Sequence, residues 1–142
     1  MSEGMTANSY PYSINVPQRV ITVRLSGAVH GSQIAATYAA IYGDPACARG
    51  MDILWDGSSI TELIFERDDM PSFVRLNQEF SDLASSGRDI ILVARSLDKT
   101  MADMYTVMMS AQRRAVHVCM SMDELHQILD ARDPPPTGTR VG

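Results

Sequence analysis

Metal-binding and redox-active side chains are scarce in this sequence, which has two cysteines and three histidines among 142 residues. Cys47 and Cys119 lie far apart, and neither belongs to a CxxC pair or to a Cys/His cluster with metal-ligand spacing. We therefore expect two reduced thiols in a reducing compartment, and we predict no metal site, no disulfide and no cofactor.

Long apolar runs are also missing. None approaches the ~20 residues that a membrane-crossing helix needs. The N-terminus, MSEGMTANSY, has neither the basic start nor the apolar stretch of a signal peptide. Together these absences predict a cytoplasmic protein with no membrane span.

Positive charge is not concentrated anywhere in the chain, whose net charge is −5. Because nucleic-acid binding depends on cations that neutralise phosphates, nucleic acid is not an expected partner. The densest basic spot is the pair Arg113-Arg114. We interpret it as a solvated corner between a helix and a strand.

The common catalytic and phosphate-binding motifs GxGxxG, GxxxxGK[ST] and GxSxG do not occur. A triad of Ser58 or Ser59 with His30 and Asp56 is conceivable, but turn formation explains the local string WDGSSIT better. We therefore predict that the protein is not an enzyme.

The composition, 45% hydrophobic and 20% charged, is that of a folded chain, and the length suits one domain. We expect this domain at residues 12–131, between flexible tails at 1–11 and 132–142, because both ends are polar and the second contains three prolines. Homodimerisation is compatible with everything the sequence shows.

Hydrophobic periodicity changes repeatedly from strand-like to helix-like along this domain. Strands are predicted at residues 12–16, 20–27, 51–56, 90–94 and 115–119, and helices start near residues 32, 68, 99 and 121. Strands separated by a helix are usually parallel. The order ββαβαβαβα therefore predicts an α/β fold, with a mixed five-stranded sheet that begins with an antiparallel hairpin and is covered by four helices.

Four helix starts carry polar residues that favour capping. Ser32 suits the first start, and Asp68-Asp69 suit the second. Ser96 or Asp98 suits the third, and Ser121 with Glu124 forms a capping box at the fourth.

Ligands of open α/β sheets gather beyond the carboxyl ends of the strands, so we expect any site at that edge. The candidate partner-binding or ligand-binding residues there are Asp56, Ser58, Ser59, Thr61, Arg95 and Ser96. An arginine near helix N-termini suits an anion, although Asp56 or Asp98 would pair with Arg95 equally well.

Ten methionines are many for this length. On the third helix, Met101, Met104, Tyr105 and Met108 form a stripe that we interpret as core, with a subunit interface or an adaptable binding surface as alternatives. With Phe73 of the second helix, this stripe is also the candidate lining of an apolar pocket.

The segment ILWDGSSITEL at 53–63 resembles the third strand and following loop of STAS domains, the SpoIIAA-like modules of anti-sigma-factor antagonists and sulfate transporters. The segments DIILVA at 89–94, MADMY at 101–105 and AVHVC followed by SMDELHQIL resemble small bacterial SpoIIAA-like proteins of unassigned function. This resemblance covers about residues 12–130 and implies a SpoIIAA-like fold.

The resemblance also implies a protein-interaction module that docks on a regulatory partner through the loop after the third strand, including Phe65, and through the second helix. In the antagonists, an Asp-Ser pair at the start of that helix provides a phosphorylated serine. Counting from Asp56, this location falls at Ile64-Phe65-Glu66, where no hydroxyl stands, so we expect a module without the phosphoacceptor serine.

Two alternatives remain. One is a small-ligand protein in which Met101, Tyr105 and Phe73 line an apolar pocket for an acyl chain or a ring. The other is an enzyme that uses Asp56, Arg95 and His30.

Overall fold

A five-stranded sheet forms the centre of the computed structural model, which describes residues 9–111 and 114–131. The strands are β1 (Tyr12–Asn15), β2 (Val20–His30), β3 (Asp52–Ile64), β4 (Arg88–Val93) and β5 (Ala115–Cys119). The helices are α1 (Gly31–Tyr42), α2 (Asp69–Glu79), α3 (Ser81–Ala84), α4 (Ser96–Met108) and α5 (Met122–Ala131), and a 3₁₀ turn follows α4 at Met109–Ala111.

The strands lie in chain order, β1-β2-β3-β4-β5. The first pair is antiparallel and the other three are parallel, which confirms the predicted mixed sheet. The predicted second helix is two helices, because Phe80 leaves helical geometry at φ −107° and ψ 35°. Its ring packs on Tyr42 of α1, with ring centroids 5.4 Å apart.

The two faces of the sheet are covered unequally. One face packs against α1, α2 and α4 and contributes most of the core, including Ile21, Val23 and Ile53. The other face has a smaller cluster beneath α5, centred on Ile90 and Leu125. In β2, alternate residues such as Arg24 and Ser26 are exposed, as expected where none of the described helices covers the sheet.

At three of the four predicted helix starts no side chain makes a capping hydrogen bond. His30 precedes α1 as its N-cap, so Ser32 lies inside the helix. Asp68 precedes α2 without a side-chain cap, and Asp69 instead accepts the Glu66 N–H at 2.6 Å. At α4 the N-cap is Arg95, without a side-chain cap bond.

The capping box of α5 forms. The Ser121 hydroxyl accepts the Glu124 N–H at 3.1 Å. The Glu124 carboxylate accepts the N–H of Met120 at 2.7 Å, one residue before the cap.

Most of the predicted tails lie outside the described residues, apart from 9–11. Within that short segment, Tyr10 donates its N–H to the Thr37 hydroxyl and its own hydroxyl to Gln33, each at 2.8 Å. The Tyr10 hydroxyl also accepts the N–H of His30 at 3.1 Å. Hydrogen-bonded contacts with α1 therefore begin by Tyr10, two positions before the boundary that the sequence predicts.

The third strand is much longer than predicted. It passes through Gly57, Ser58 and Ser59, which we expected to form a loop, and ends at Ile64. Register shifts against β2 near Ser58 and Thr61 mark two irregular, bulge-like positions. At Gly57 a Cβ atom would lie only 2.8 Å from the Leu92 carbonyl oxygen, so glycine here permits close backbone approach.

Candidate functional site

The polar candidates of β3 lie on a projecting ribbon. Because β4 ends at Val93, opposite Gly57, the described pairing of residues 58–64 is with β2 alone. Ser58, Ser59 and Thr61 are exposed along this ribbon. Asp56 is half-buried at its base, where it accepts both the N–H and the hydroxyl of Ser58, at 3.1 and 2.7 Å.

Arg95 joins this ribbon to α4. Its guanidinium makes a bidentate ion pair with Asp98, at 2.9 and 2.8 Å, and donates a third bond to the Thr61 carbonyl. The Asp98 side chain is fully buried, whereas the Arg95 side chain is 37% exposed. Of the two partners predicted for Arg95, Asp56 and Asp98, the structure shows Asp98. The next residue in the sequence, Ser96, is exposed.

The catalytic alternative is not supported by the strand register. His30 pairs with Ile64, whereas Asp56 pairs with Arg24. Six residues of β2 separate these two levels, which corresponds to about 20 Å along a strand. His30 and Asp56 are therefore too far apart to act on one proton, and this hypothesis is dropped.

Sequence reasoning missed a buried polar cluster, which we call the Asp89 hub: Tyr38, Trp55, Asp89, Tyr105 and Arg114. Asp89 is 0% exposed. Its Oδ2 accepts the hydroxyls of Tyr38 and Tyr105, each at 3.0 Å, and its Oδ1 accepts the Trp55 Nε1–H at 3.1 Å. The hub therefore links α1, β3, β4 and α4 through one carboxylate.

Arg114 supplies the positive charge of the hub. It is 3% exposed and its Nε lies 3.3 Å from Asp89 Oδ1, so the expected solvated corner is wrong for this residue. Its terminal nitrogens donate to the carbonyls of Ala84, Met51 and Arg88, at 3.0, 3.2 and 2.8 Å. Its neighbour Arg113 lies outside the described residues.

The two tyrosines of the hub also contact each other, with hydroxyl oxygens 2.6 Å apart. Burial, followed by the charge of Asp89, raises the pKa of both Tyr38 and Tyr105 well above 10. For Arg114, burial lowers the pKa, but Asp89 and the nearby tyrosines outweigh it and the net shift is upward. Both tyrosines are therefore neutral phenols at neutral pH, and Arg114 stays positively charged.

A faint sequence signal for the hub existed. Asp89 and Arg114 each stand beside an apolar strand segment, where a charge is unexpected unless it is paired. Periodicity alone does not reveal that the two strands are neighbours in the sheet, so the sequence did not predict the pairing of Asp89 with Arg114.

An apolar cavity of about 60 Å³ lies beside the hub, between the sheet and helices α1, α2 and α4. Of the candidate pocket residues, Phe73, Met101 and Tyr105 line it, and so does Phe65, which packs edge-to-face on Phe73 with centroids 5.8 Å apart. Phe73 and Tyr105 are buried, whereas Met101 and Phe65 are half-buried at its rim.

The methionine stripe of α4 is not core throughout. The inward positions are Asp98, Ala102 and Tyr105. Met104 is 51% exposed and Met108 is 38% exposed, so these two face solvent. The prediction of a buried stripe is therefore wrong for Met104 and Met108. The buried face of α4 lies about one position further round the helix, on the side of Asp98 and Ala102.

The second helix starts at Asp69, close to the predicted start near residue 68, but the phosphoacceptor location counted from Asp56 does not lie at this start. Residues 64–66, where we placed the phosphoacceptor position, are the end of β3 and the connection after it. The helix begins at Asp69, and the hydroxyl in its first turn is that of Ser72, which donates to the Asp68 carbonyl at 2.8 Å.

Within the described residues, no group of three His, Cys, Asp or Glu side chains is placed to hold a metal ion. Across residues 9–111 and 114–131, no helix has both the length and the apolar character to cross a membrane.

These elements define the SpoIIAA-like α/β fold: a mixed sheet with one antiparallel edge strand, four parallel strands and helices on both faces. Among solved structures, the chain is similar to the anti-sigma factor antagonist SpoIIAA in its unphosphorylated form, with a TM-score of 0.53 and 14% identity. The match covers 88% of this chain and 99% of that one, and it confirms the resemblance at the level of fold. No family model and no curated protein matches the sequence.

Proposed function

We propose that the protein is a non-enzymatic interaction module that binds a regulatory protein partner along the projecting ribbon of β3 and the start of α4. The observation that carries this proposal is the edge of β3 at residues 58–64, beyond the end of β4, which among the described residues pairs with β2 alone and bonds Arg95 only through the Thr61 carbonyl. An edge of this kind offers backbone hydrogen-bonding groups to an incoming strand, which is a common mode of peptide recognition.

The side chains around this edge support a protein partner. Ser58, Ser59 and Thr61 are exposed hydroxyl residues, and Leu97 at the start of α4 is 67% exposed. The Arg95 contact with Thr61 fixes the start of α4 against the ribbon, so polar and apolar groups form one surface. A polar rim with an apolar anchor is typical of protein interfaces.

Phosphorylation at an Asp-Ser pair is not part of this proposal. The connection at residues 64–66 has no hydroxyl. Ser72 is only partly exposed, its hydroxyl is bonded within α2, and it also accepts a bond from Arg75 at 3.1 Å. Partner binding is therefore proposed to be regulated by something other than this switch.

Site-specific photo-crosslinking tests the proposal. A benzophenone amino acid replaces Ser59 in one variant and Gln127 in a control variant, since Gln127 is also exposed but lies on α5 across the sheet. We expect a discrete covalent adduct from position 59 in cells and none from position 127. Mass spectrometry of the adduct identifies the partner, and a covalent dimer identifies it as a second copy of this chain.

Affinity measurements with the purified partner complete the test. The double variant Ser59→Arg with Thr61→Arg places charge on the edge and is expected to weaken binding at least tenfold. The matched control Gln127→Arg is expected to leave the affinity unchanged. Equal weakening by both, or equal adducts from both crosslinker positions, contradicts the proposal.

A further inference from the structure

The cavity beside the Asp89 hub has an unusual lining. Four of the residues around it carry polar side-chain atoms: Tyr38, Trp55, Asp98 and Tyr105. All of these atoms are engaged elsewhere. The two hydroxyls and the indole N–H bind Asp89, and both Asp98 oxygens bind Arg95.

The aromatic residues therefore present only their carbon faces to the cavity, alongside aliphatic side chains such as Leu25, Ile34 and Ile60. A buried water needs two to four polar partners, and this lining has none to spare. The lining therefore offers a water molecule no hydrogen-bond partner, and an occupant gains by bringing apolar surface into the cavity.

The volume of the cavity limits the shape of the molecule that it can bind. The cavity of about 60 Å³ is well below the ~150 Å³ of an apolar cavity that holds benzene. A ring would therefore force the lining apart, whereas the end of an unbranched chain fits. At the rim, the half-buried thioether of Met101 is flexible enough to let a chain pass.

We propose that this cavity binds the end of an aliphatic chain, as found in fatty acids and acyl groups, with the polar headgroup outside the rim. The proposal goes beyond partner binding at β3 and does not depend on it. It is tested on the isolated protein, so its failure and the failure of the interaction proposal are distinguishable.

Trp55 provides a direct readout because it is the single tryptophan, lines the cavity and is only 3% exposed. Bromine quenches tryptophan on contact. We expect 10-bromodecanoate to quench Trp55, and unlabelled decanoate and decanol to reverse the quenching. Competition by the uncharged alcohol shows that the chain, not the carboxylate, is recognised.

Chain length sharpens the test in the wild-type protein. Because the cavity of about 60 Å³ takes only the last carbons of a chain, affinity is expected to rise about fourfold for each methylene from propionate to pentanoate and to level off toward decanoate. Absence of quenching overturns the proposal, and so does an affinity that does not rise from propionate to pentanoate, since both indicate binding outside the cavity or none.

Two variants fill the cavity from different elements. Ala102→Leu adds side-chain volume from α4, where Ala102 is 7% exposed, and Ile60→Phe adds it from β3. Each is expected to weaken decanoate binding at least tenfold, whereas Met104→Leu, on the exposed side of α4, is expected to change it less than twofold. If one of these variants does not fold, the other one is used for the test. Wild-type affinity for decanoate in a folded cavity-filling variant overturns the proposal.

Discussion

The Asp89 hub and the apolar cavity are adjacent regions built in part from the same three side chains, Tyr38, Trp55 and Tyr105. In the hub their polar atoms satisfy a buried carboxylate, and in the cavity their rings provide apolar surface. The contrast shows how amphipathic aromatics separate polar from apolar chemistry within a few ångströms. Stability is expected to depend on the hub and chain binding on the cavity.

The largest effect is expected from Asp89→Ala. It leaves Arg114 as a buried, unpaired cation, which typically costs about 3–5 kcal/mol of unfolding free energy. Urea denaturation followed by Trp55 fluorescence measures the change. The matched control is Asp103→Ala, because Asp103 pairs with Lys99 at 2.6 Å on the exposed side of α4. Surface pairs contribute about 0–1 kcal/mol, so equal losses in the two variants would contradict a special role for the hub.

A smaller effect is expected from Tyr105→Phe, which breaks the hub while keeping the ring in the cavity. Loss of a hydrogen bond to a charged group costs roughly 1.5–3 kcal/mol. We expect the lower end, because the two phenolic protons serve three close oxygen contacts. Decanoate affinity is expected to stay within twofold of wild type. A large loss of affinity at retained stability would show that hub and cavity are not separable.

Alkaline pH tests the hub without mutation. Tyr38 and Tyr105 have pKa values raised well above 10 by burial and then by Asp89. The folded state therefore keeps protons that the unfolded state loses, and stability is expected to fall as pH rises above about 10. Half-buried Tyr12, with its pKa raised to about 12, shifts stability in the same direction.

Absorbance at 295 nm measures phenolate formation in this titration. We expect the hub tyrosines to ionise only together with unfolding, seen by circular dichroism. Tyrosine ionisation that is complete while the fold persists would contradict the buried hub. The variant Tyr38→Phe is expected to reduce the steepness of the stability loss.

The smallest effect concerns the opposite face of the sheet, where Cys119 packs under α5. Burial, and then the charge of Glu124, raises the pKa of the Cys119 thiol to about 11, and the residue is 1% exposed. In a Cys47→Ser background we expect slow reaction with a disulfide reagent at pH 8 and fast reaction in urea. Equally fast reaction in both conditions would mean that this smaller cluster opens readily.

The five strands and most of the helices were predicted from hydrophobic periodicity, because periods of 2 and 3.6 residues are local properties of the sequence. Local patterns failed where the backbone departs from regularity. Gly57 and Ser58 suggest a turn, yet the strand continues through an irregular position that keeps pairing with β2. Phe80 suggests a continuing helix, yet its backbone is not helical and its ring packs on Tyr42.

The candidate site was predicted in part. The sequence named Arg95, Asp98 and Thr61, and the Arg95 guanidinium joins the Asp98 carboxylate to the Thr61 carbonyl beyond the end of β4. It also named Phe73, Met101 and Tyr105, which line one cavity. It placed Met104 and Met108 in the core, since helical spacing fixes a stripe but not which neighbouring stripe faces the sheet.

By itself, then, the sequence determined an α/β chain with five strands, no catalytic motif and an apolar face on each main helix. Only the tertiary structure decided that Asp89 and Arg114 meet inside the protein, that β3 extends beyond the end of β4, and that three aromatic residues line one apolar cavity. The physical reason is the separation of the interacting residues along the sequence. Periodicity and capping act between residues a few positions apart. A buried ion pair and a cavity instead depend on the packing of elements distant in sequence.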